Sequence, residues 1–184
     1  ANCFNDKLYK LYPAMHDKDI RNEQYWAEID GAKVRQDLVR RKKQTNRVRL
    51  MTRGEAFSTW VDIPKVESIL KENPDTLWWT PTRGWRDPLI RAELVRLRHT
   101  YSNAKILASI DPTTTAEEQA SLDAEGWSTM YFGEDDELET KTGDKRFKCP
   151  KTWGHVKGAC AVCKRGCFKA DDGNKPVHVH LKQH

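Results

Sequence analysis

The sequence predicts an α/β fold built on a parallel β-sheet, and two observations support this. Four short apolar segments have the composition of strands, and helical segments with recognisable starts lie between them. The strand starts, near residues 48, 76, 105 and 128, are about 23–29 residues apart. This is the length of one strand, one crossover helix and two short loops. The spacing leaves two arrangements open, a curved part of a (β/α) barrel and an open doubly wound sheet.

The elements follow one another in a regular order. Residues 17–44 have apolar side chains at three- and four-residue steps, which predicts a helix, and Gly31 can divide it into two. Strands are predicted at 48–51, 76–80, 105–110 and 128–132. The helices between them start at Asp62 with Pro64, at Asp87 with Pro88, and at Thr115 with Glu118, which form a capping box.

The composition is that of a globular chain. Of 184 residues, 38% are hydrophobic and 32% are charged, which excludes a disordered chain. No apolar run approaches the roughly 18 residues that a membrane-spanning helix needs. The net charge of +5 favours a phosphate-bearing partner only slightly. The start of the sequence has no export-signal pattern, so we expect a reducing cytoplasm and no membrane partner.

Four of the five cysteines lie close together near the end of the sequence. Their spacing is C-x10-C-x2-C-x3-C, formed by Cys149, Cys160, Cys163 and Cys167. Two residues between paired cysteines let both sulfurs reach one ion, and four thiolates suit zinc or a [4Fe-4S] cluster. We expect zinc, with the cluster as the alternative. Surface cysteines without metal are a third interpretation.

Three histidines are further candidate ligands for this metal. His155 lies within the cysteine segment, and His178 and His180 lie in "VHVHL", which alternates like an edge strand. A small segment with few apolar residues needs metal ligation to supply its folding free energy. We therefore predict an α/β domain at residues 1–135 and a metal-bound, cysteine-rich C-terminal appendage at residues 136–184.

The loops after the predicted strands carry the candidate functional residues. In parallel α/β folds these loops meet at the carboxyl edge of the sheet and hold the ligand. Arginine binds anions through paired donors, and an exposed aromatic ring stacks on a base. We predict that Arg53 and Arg83 bind the ligand and that Glu55 and Asp111 are catalytic, as a base or a polar anchor. The nearby aromatic candidates are Phe57, Trp60 and Trp85.

A basic segment offers a rival binding site. Residues 33–49 contain Lys33, Arg35, Arg40, Arg41, Lys42, Lys43, Arg47 and Arg49. On one face of a helix these side chains would suit a phosphate backbone. A solvated helix surface explains the same pattern.

Several motifs occur in a specific order, namely "NCF", "VRLMTRGEAF", "NPDTLWWTPTRGWRDPLI", "LRHTYSNAKILASIDP" and "CPKTWGHVKGACAVCKRGCF". This order resembles a family of bacteriophage-encoded proteins that closes with a Cys-Pro…Cys-x2-Cys…Cys-aromatic segment. The resemblance covers most of the sequence. It implies a phage protein in the cytoplasm of the infected host, and it implies no particular reaction.

A looser resemblance is to the core of radical S-adenosylmethionine enzymes. Arg53-Gly54-Glu55 stands where that family has a Gly-Gly-Glu-type motif, and Cys3 stands where the last cysteine of its triad would be. The other two cysteines of the triad are missing from the sequence, so the cluster chemistry of that family is not implied. The resemblance favours a curved sheet. We therefore predict a parallel partial (β/α) barrel of four to five strands.

Together these observations predict a metal-binding phage protein whose strand-end pocket binds a nucleotide or nucleic acid. Modification of that ligand belongs to the hypothesis, so an enzyme and a binding protein both remain open. One alternative is a non-catalytic nucleic-acid-binding module that uses residues 33–49. The other is an interaction protein that binds and inhibits a host protein. The substrate and the oligomeric state do not follow from the sequence.

Overall fold

The computed structural model describes most of the first 133 residues and shorter pieces of the C-terminal part. The described residues are 9–40, 46–51, 54–133, 147–150, 152, 163, 166–168 and 176–182. The helices are α1 (Pro13–Glu28), α2 (Gly31–Arg40), α3 (Asp62–Glu72), α4 (Pro88–Thr100) and α5 (Ala116–Ala124). The strands are β1 (Arg47–Arg49), β2 (Leu77–Thr82), β3 (Ala104–Ile110), β4 (Thr129–Gly133), β5 (Phe147–Lys148) and β6 (His178–Lys182).

The six described strands form one sheet in which every neighbouring pair is parallel. The strand order is β1-β2-β3-β4-β6-β5, and the sheet curls into a half-barrel. The predicted α/β fold with a parallel partial barrel is confirmed, but the sheet has six strands rather than four or five. The C-terminal segment contributes the additional strands, and β5 is too short to be recognised from an apolar pattern.

The alternating segment at the end of the sequence forms β6, but the prediction of an edge strand is wrong. This strand pairs with β4 on one side and with β5 on the other. Val179 is buried in an apolar cluster on one face, and His180 is buried on the other face against the Tyr131 ring. An interior strand of a parallel sheet is covered on both faces. In β6 the valine packs into the apolar cluster on one face and the histidine packs against a tyrosine on the other, which gives the alternating pattern.

Helices α3, α4 and α5 cover one face of the sheet. Their apolar side chains pack against alternate strand residues, which include Trp78, Ile106 and Tyr131. We call this the helix-bearing face. We call the opposite face the inner face, because it points toward the axis in a complete barrel. None of the described helices has the length and apolar composition needed to cross a membrane.

The inner face carries a second apolar cluster. Its buried members are Trp79, Leu107, Met130, Val179 and Phe168. Phe168 belongs to a short 3-10 helix, Gly166–Phe168, and its ring meets the Trp79 ring edge to face with centroids 6.0 Å apart. Trp78 and Trp79 are therefore packing residues, as predicted, and they lie on opposite faces because they are adjacent in a strand.

The predicted helix starts are confirmed at α4 and α5. Asp87 accepts hydrogen bonds from the backbone N–H groups of Leu89 and Ile90, and Thr115 and Glu118 form a capping box. These bonds satisfy N–H groups that have no partner within the helix. They fix where each helix begins, and so they fix the length of the loops that follow β2 and β3.

The predicted long N-terminal helix is divided at Ile29 and Asp30. The Asp30 side chain accepts a hydrogen bond from the Lys33 backbone N–H (2.7 Å) and so caps α2. Gly31 lies so close to α3 that a Cβ atom there would overlap the carbonyl oxygen of Ser68. The glycine therefore allows α2 to pack directly against α3.

Strands from both predicted parts of the chain share the sheet. β4 lies within residues 1–135, whereas β5 and β6 lie within residues 136–184. Most of residues 136–184 lies outside the described part of the chain. The division into two units and the metal-bound state of the second one stay predictions.

A chain cut after residue 135 tests whether the first unit folds alone. The cut removes the β6 partner of β4 and takes Phe168 away from Trp79. We expect the fragment to lose its cooperative thermal transition or to melt at least ~10 °C below the full chain. Circular dichroism measures both, and a chain cut after Lys182 is the control. A fragment that melts cooperatively at the full-chain midpoint would contradict this expectation.

Candidate functional site

Three of the four predicted strand-end residues meet at the carboxyl edge of the sheet. Glu55 lies in the segment after β1, Arg83 directly follows β2, and Asp111 directly follows β3. Hydrogen bonds connect Glu55 to Arg83 and Arg83 to Asp111. We term these three residues the rim site. Arg53, the fourth predicted residue, lies outside the described residues.

Glu55 holds two loops of the rim together. One carboxylate oxygen accepts a hydrogen bond from the Phe57 backbone N–H (3.1 Å), and the other accepts one from the Arg83 backbone N–H (2.7 Å). The loops also pack closely at Gly84, where a Cβ atom would come within 2.9 Å of the Phe57 carbonyl oxygen. Glu55 therefore positions the backbone of Arg83.

Asp111 holds the side chain of Arg83. The Arg83 Nη2 atom lies 2.6 Å from Asp111 Oδ2. The Arg83 side chain is 59% exposed, whereas the Asp111 side chain is only 12% exposed. A largely buried carboxylate thus anchors a solvent-facing guanidinium, and Arg83 is held at both its backbone and its side chain.

Asp111 is itself held by several donors. The backbone N–H and the hydroxyl of Thr113 donate to Oδ1 at 3.0 and 2.5 Å, and Arg86 Nη2 lies 4.0 Å from the same oxygen. Burial alone would raise the pKa of Asp111, but the Thr113 hydrogen bonds and the charges of Arg83 and Arg86 hold this pKa below its ordinary value. The carboxylate is therefore ionised at neutral pH.

Arg86 belongs to the same network, although it is not among the predicted site residues. Its guanidinium bonds to Glu118 (3.2 Å) and to the Thr114 hydroxyl (2.9 Å), and it lies 4.5 Å from the ring centroid of Trp85. A short 3-10 helix, Gly84–Arg86, turns Arg86 toward these partners. The signal in the sequence was a second arginine three residues after Arg83 in the same loop.

The three aromatic candidates near the rim have different environments. Phe57 and Trp85 are buried in the core, and the Trp85 indole N–H donates to the Ser109 carbonyl oxygen (2.9 Å). The interpretation of these two rings as stacking platforms is therefore wrong, because the core covers them. Trp60 is 52% exposed and keeps a ring surface that a ligand can reach.

The predicted basic helix face does not form as one surface. Arg47 and Arg49 lie in β1 rather than in a helix, and residues 41–45 lie outside the described residues. Val48 packs with the helix-bearing core, so its two neighbours project to the inner face. There Arg49 lies over the Trp79 ring at 4.7 Å, and Arg47 lies over the Phe168 ring at 5.5 Å.

Three of the four predicted metal ligands are described, whereas Cys160 is not. Cys149 and Cys167 pack against the inner-face cluster, and the Cys163 carbonyl oxygen accepts a hydrogen bond from Arg47 Nη1 (2.9 Å). Among the described residues, no three His, Cys, Asp or Glu side chains come together as a metal-binding group. The predicted zinc or cluster site therefore stays a prediction.

Two of the three candidate histidine ligands bond within the sheet, and His155 lies outside the described residues. His178 Nδ1 lies 2.9 Å from the Thr129 hydroxyl oxygen, and His180 Nε2 donates to the Gly133 carbonyl oxygen at 2.9 Å. His180 packs against Tyr131, which belongs to the helix-bearing core. These histidines thus lie on the opposite face from the cluster that Cys149 and Cys167 contact.

The sequence profile of one protein family, described as gene product 88, matches residues 1–173. The chain belongs to the gene product 88 family. Membership of this phage gene-product family agrees with the resemblance to bacteriophage proteins. The matched residues include the rim site and all four clustered cysteines, whereas β6 lies beyond them. No curated protein and no solved structure matches the chain.

The lowered pKa of Asp111 predicts how stability depends on pH in this member of the gene product 88 family. A carboxyl group whose pKa is lower when folded stabilises the fold above its unfolded pKa, about 3.9 for Asp, and this stabilisation is lost as pH falls through the folded pKa. We expect the advantage of the wild type over Asp111→Asn to be constant above about pH 5 and to shrink below about pH 4.

Urea unfolding between these pH values measures that difference in unfolding free energy. Asp75→Asn removes an exposed carboxylate in the turn before β2 and is the control, with an effect expected to be small at every pH. An Asp111→Asn effect that stays constant down to the lowest pH would contradict the prediction.

Proposed function

We propose that the rim site binds the phosphate of a nucleotide or of a nucleic-acid strand. The observation that carries this proposal is the exposed Arg83 guanidinium, held 2.6 Å from a largely buried Asp111. Guanidinium has five N–H donors, and one carboxylate oxygen does not occupy them all. Within the described part of the chain, Asp111 is the partner of this guanidinium. The remaining donors can bind an anion.

The surroundings favour direct contact with one phosphate over attraction by a broad positive field. The Asp111 charge is shared between Arg83 and Arg86, and Arg86 also meets Glu118. Glu55 adds another carboxylate, which faces backbone N–H groups. These described side chains are two arginines and three carboxylates, which give no net positive charge, so binding depends on a pre-positioned fork of donors. Fixing Arg83 before the ligand arrives reduces the entropy lost on binding.

Trp60 supports a ligand that carries a base. It lies just before α3, at the same edge of the sheet as the loops that hold Arg83, and about half of it is exposed. Base stacking on an exposed aromatic ring contributes about 1–3 kcal/mol per base. Arginine for the phosphate and tryptophan for the base are together typical of nucleotide and single-strand binding.

Catalytic roles for Glu55 and Asp111 require more of these carboxylates than holding Arg83 in place. Each carboxylate already accepts hydrogen bonds through both oxygens, and Asp111 is ionised, so it is not a proton donor at neutral pH. In this arrangement both residues act as anchors of Arg83. Modification of the ligand, with either carboxylate as the base, stays a prediction.

Replacement of Arg83 tests the proposed phosphate contact. Arg83→Ala is expected to weaken binding of a labelled mononucleotide and of a labelled short single strand at least ~10-fold, because it removes the anchored guanidinium. Fluorescence anisotropy measures both affinities. Arg96→Ala is the matched control, since Arg96 is also a partly exposed arginine paired with a carboxylate, and it lies on α4. The control is expected to change affinity by less than ~2-fold.

The dependence on salt distinguishes this proposal from the nucleic-acid-binding module. One phosphate contact predicts a shallow decrease of affinity with salt, with a slope of about −1 in a plot of log affinity against log salt concentration. A steep slope, with loss on charge reversal at Arg40 and Arg41 but not at Arg83, would favour the basic segment. Absence of binding to either probe would contradict the proposed function.

We further propose that Cys149, Cys160, Cys163 and Cys167 bind one zinc ion, with a [4Fe-4S] cluster as the alternative. The support is the spacing in the sequence, together with the contact of Cys149 and Cys167 with one apolar cluster. The role proposed for the metal is structural. The host cytoplasm as location, and a host protein as partner, stay predictions.

Elemental analysis of protein purified without air tests the metal. We expect about one zinc per chain, or about four irons with a brown colour if the cluster is present. Cys163→Ser is expected to lower the metal content at least ~2-fold, because three sulfurs hold zinc less tightly than four. Cys3→Ser is the control and is expected to retain the metal. Wild-type protein without metal would refute this proposal.

A further inference from the structure

We infer that Asp62 is a positioning residue that holds the Trp60 ring in place for the ligand, and that helix α1 contributes to this through Trp26. The inference rests on the proposed function, in which Trp60 stacks on a base. It adds a second set of contacts, away from Arg83, on which recognition of the base depends.

The Asp62 carboxylate closes the turn that carries Trp60. Oδ2 of Asp62 accepts hydrogen bonds from the backbone N–H (2.9 Å) and the hydroxyl (3.1 Å) of Thr59, which directly precedes Trp60. The Asp62 backbone N–H in turn donates to the Thr59 carbonyl oxygen (3.1 Å), and the Ile63 N–H donates to the Trp60 carbonyl oxygen (3.3 Å). These hydrogen bonds fix the backbone on both sides of Trp60.

The other oxygen of the same carboxylate bonds to α1. Oδ1 of Asp62 accepts a hydrogen bond from the Trp26 indole N–H (2.9 Å), and Trp26 packs against the helix-bearing core. Lys65 Nζ joins the same end of α1 to α3, because it donates to the Trp26 and Ala27 carbonyl oxygens. None of the α1 residues, all of which are described, is itself buried. These contacts therefore connect an otherwise exposed helix to the turn of Trp60.

Ordinary helix capping does not account for Asp62. A capping side chain accepts hydrogen bonds from N–H groups in the first turn of its own helix, as Asp87 does at α4. Asp62 instead accepts from Thr59, which precedes α3, and from Trp26 on another helix. Asp62 is only 6% exposed, and a buried carboxylate is costly unless hydrogen bonds satisfy it. The protein therefore keeps a buried carboxylate whose hydrogen bonds define one turn.

The loop between Glu55 and Asp62 is thus held at both ends, and Trp60 lies near the second end. Glu55 bonds to the Arg83 backbone N–H, and Asp62 bonds to α1. Trp60 is 52% exposed on this fixed backbone. Holding an exposed ring in place before binding reduces the entropy that is lost when a base stacks on it. The arrangement therefore favours a ligand whose base lies at a set place relative to its phosphate.

Two labelled strands of equal length, one with bases and one abasic, test the inference by fluorescence anisotropy. The full chain is used, and circular dichroism first establishes that each variant is folded at the assay temperature. Trp60→Ala is expected to weaken binding of the base-bearing strand at least ~10-fold and of the abasic strand less than ~2-fold. Asp62→Asn and Trp26→Phe are each expected to weaken only the base-bearing strand, at least ~3-fold, because the ring is held less firmly. In a Trp60→Ala background, Asp62→Asn is expected to cause no further loss.

Tyr25→Phe is the matched control. Tyr25 also lies on α1 and donates to a carboxylate, but this carboxylate is that of Asp37 on α2. The control removes one aromatic donor from the same helix without touching the turn of Trp60. It is expected to change the affinity for either strand by less than ~2-fold.

The outcomes separate this inference from the proposal on which it rests. If the wild type binds neither strand, both are refuted. If Trp60→Ala binds the base-bearing strand as well as the wild type does, the stacking role and this inference are refuted, while the phosphate contact stands. If Trp60→Ala weakens only the base-bearing strand, but Asp62→Asn and Trp26→Phe change neither affinity or weaken both equally, the proposed function stands and the positioning role is refuted. If Asp62→Asn does not fold, Trp26→Phe decides between these outcomes.

Discussion

An all-parallel sheet has to be covered on both faces, and the rest of this structure depends on that constraint. Crossover helices α3, α4 and α5 cover one face because they follow the strands along the chain. Among the described residues, no crossover helix covers the other face, and side chains of the C-terminal segment pack there. Phe168 packs on Trp79, and β6 extends the sheet beside β4. Two strands of the C-terminal segment, β5 and β6, are therefore part of the wall of the half-barrel, and the described residues Cys149 and Cys167 pack against its inner-face cluster.

Parallel connectivity also creates the rim site. Every parallel strand delivers its following loop to the same edge, so residues far apart in the chain meet there. Glu55 and Asp111 hold Arg83 from two sides, one at its backbone and one at its guanidinium. The two carboxylates that the sequence predicts to be catalytic thus both bond to a single arginine, and their catalytic role stays a prediction.

The net charge of this gene product 88 family member is modest, but its charged side chains are unevenly distributed over the structure. Among the described residues of the rim, Arg83 and Arg86 lie beside three carboxylates, those of Glu55, Asp111 and Glu118. On the inner face, Arg47, Arg49 and Lys105 bring positive charge beside apolar rings and the cysteine segments. Lys105 in this second group is buried, whereas Arg47 and Arg49 are half-buried.

The sequence by itself determined the local structure, because its signals act within a few residues. The caps at Asp87 and Thr115, the strand rhythm and the strand-end position of Arg83 are of this kind. Tertiary structure alone decided that Trp85 is buried while Trp60 is exposed, and that "VHVHL" lies inside the sheet. These outcomes depend on residues that are distant in the chain. The sequence of a tryptophan loop or of an alternating segment is the same whether the side chains end up buried or exposed.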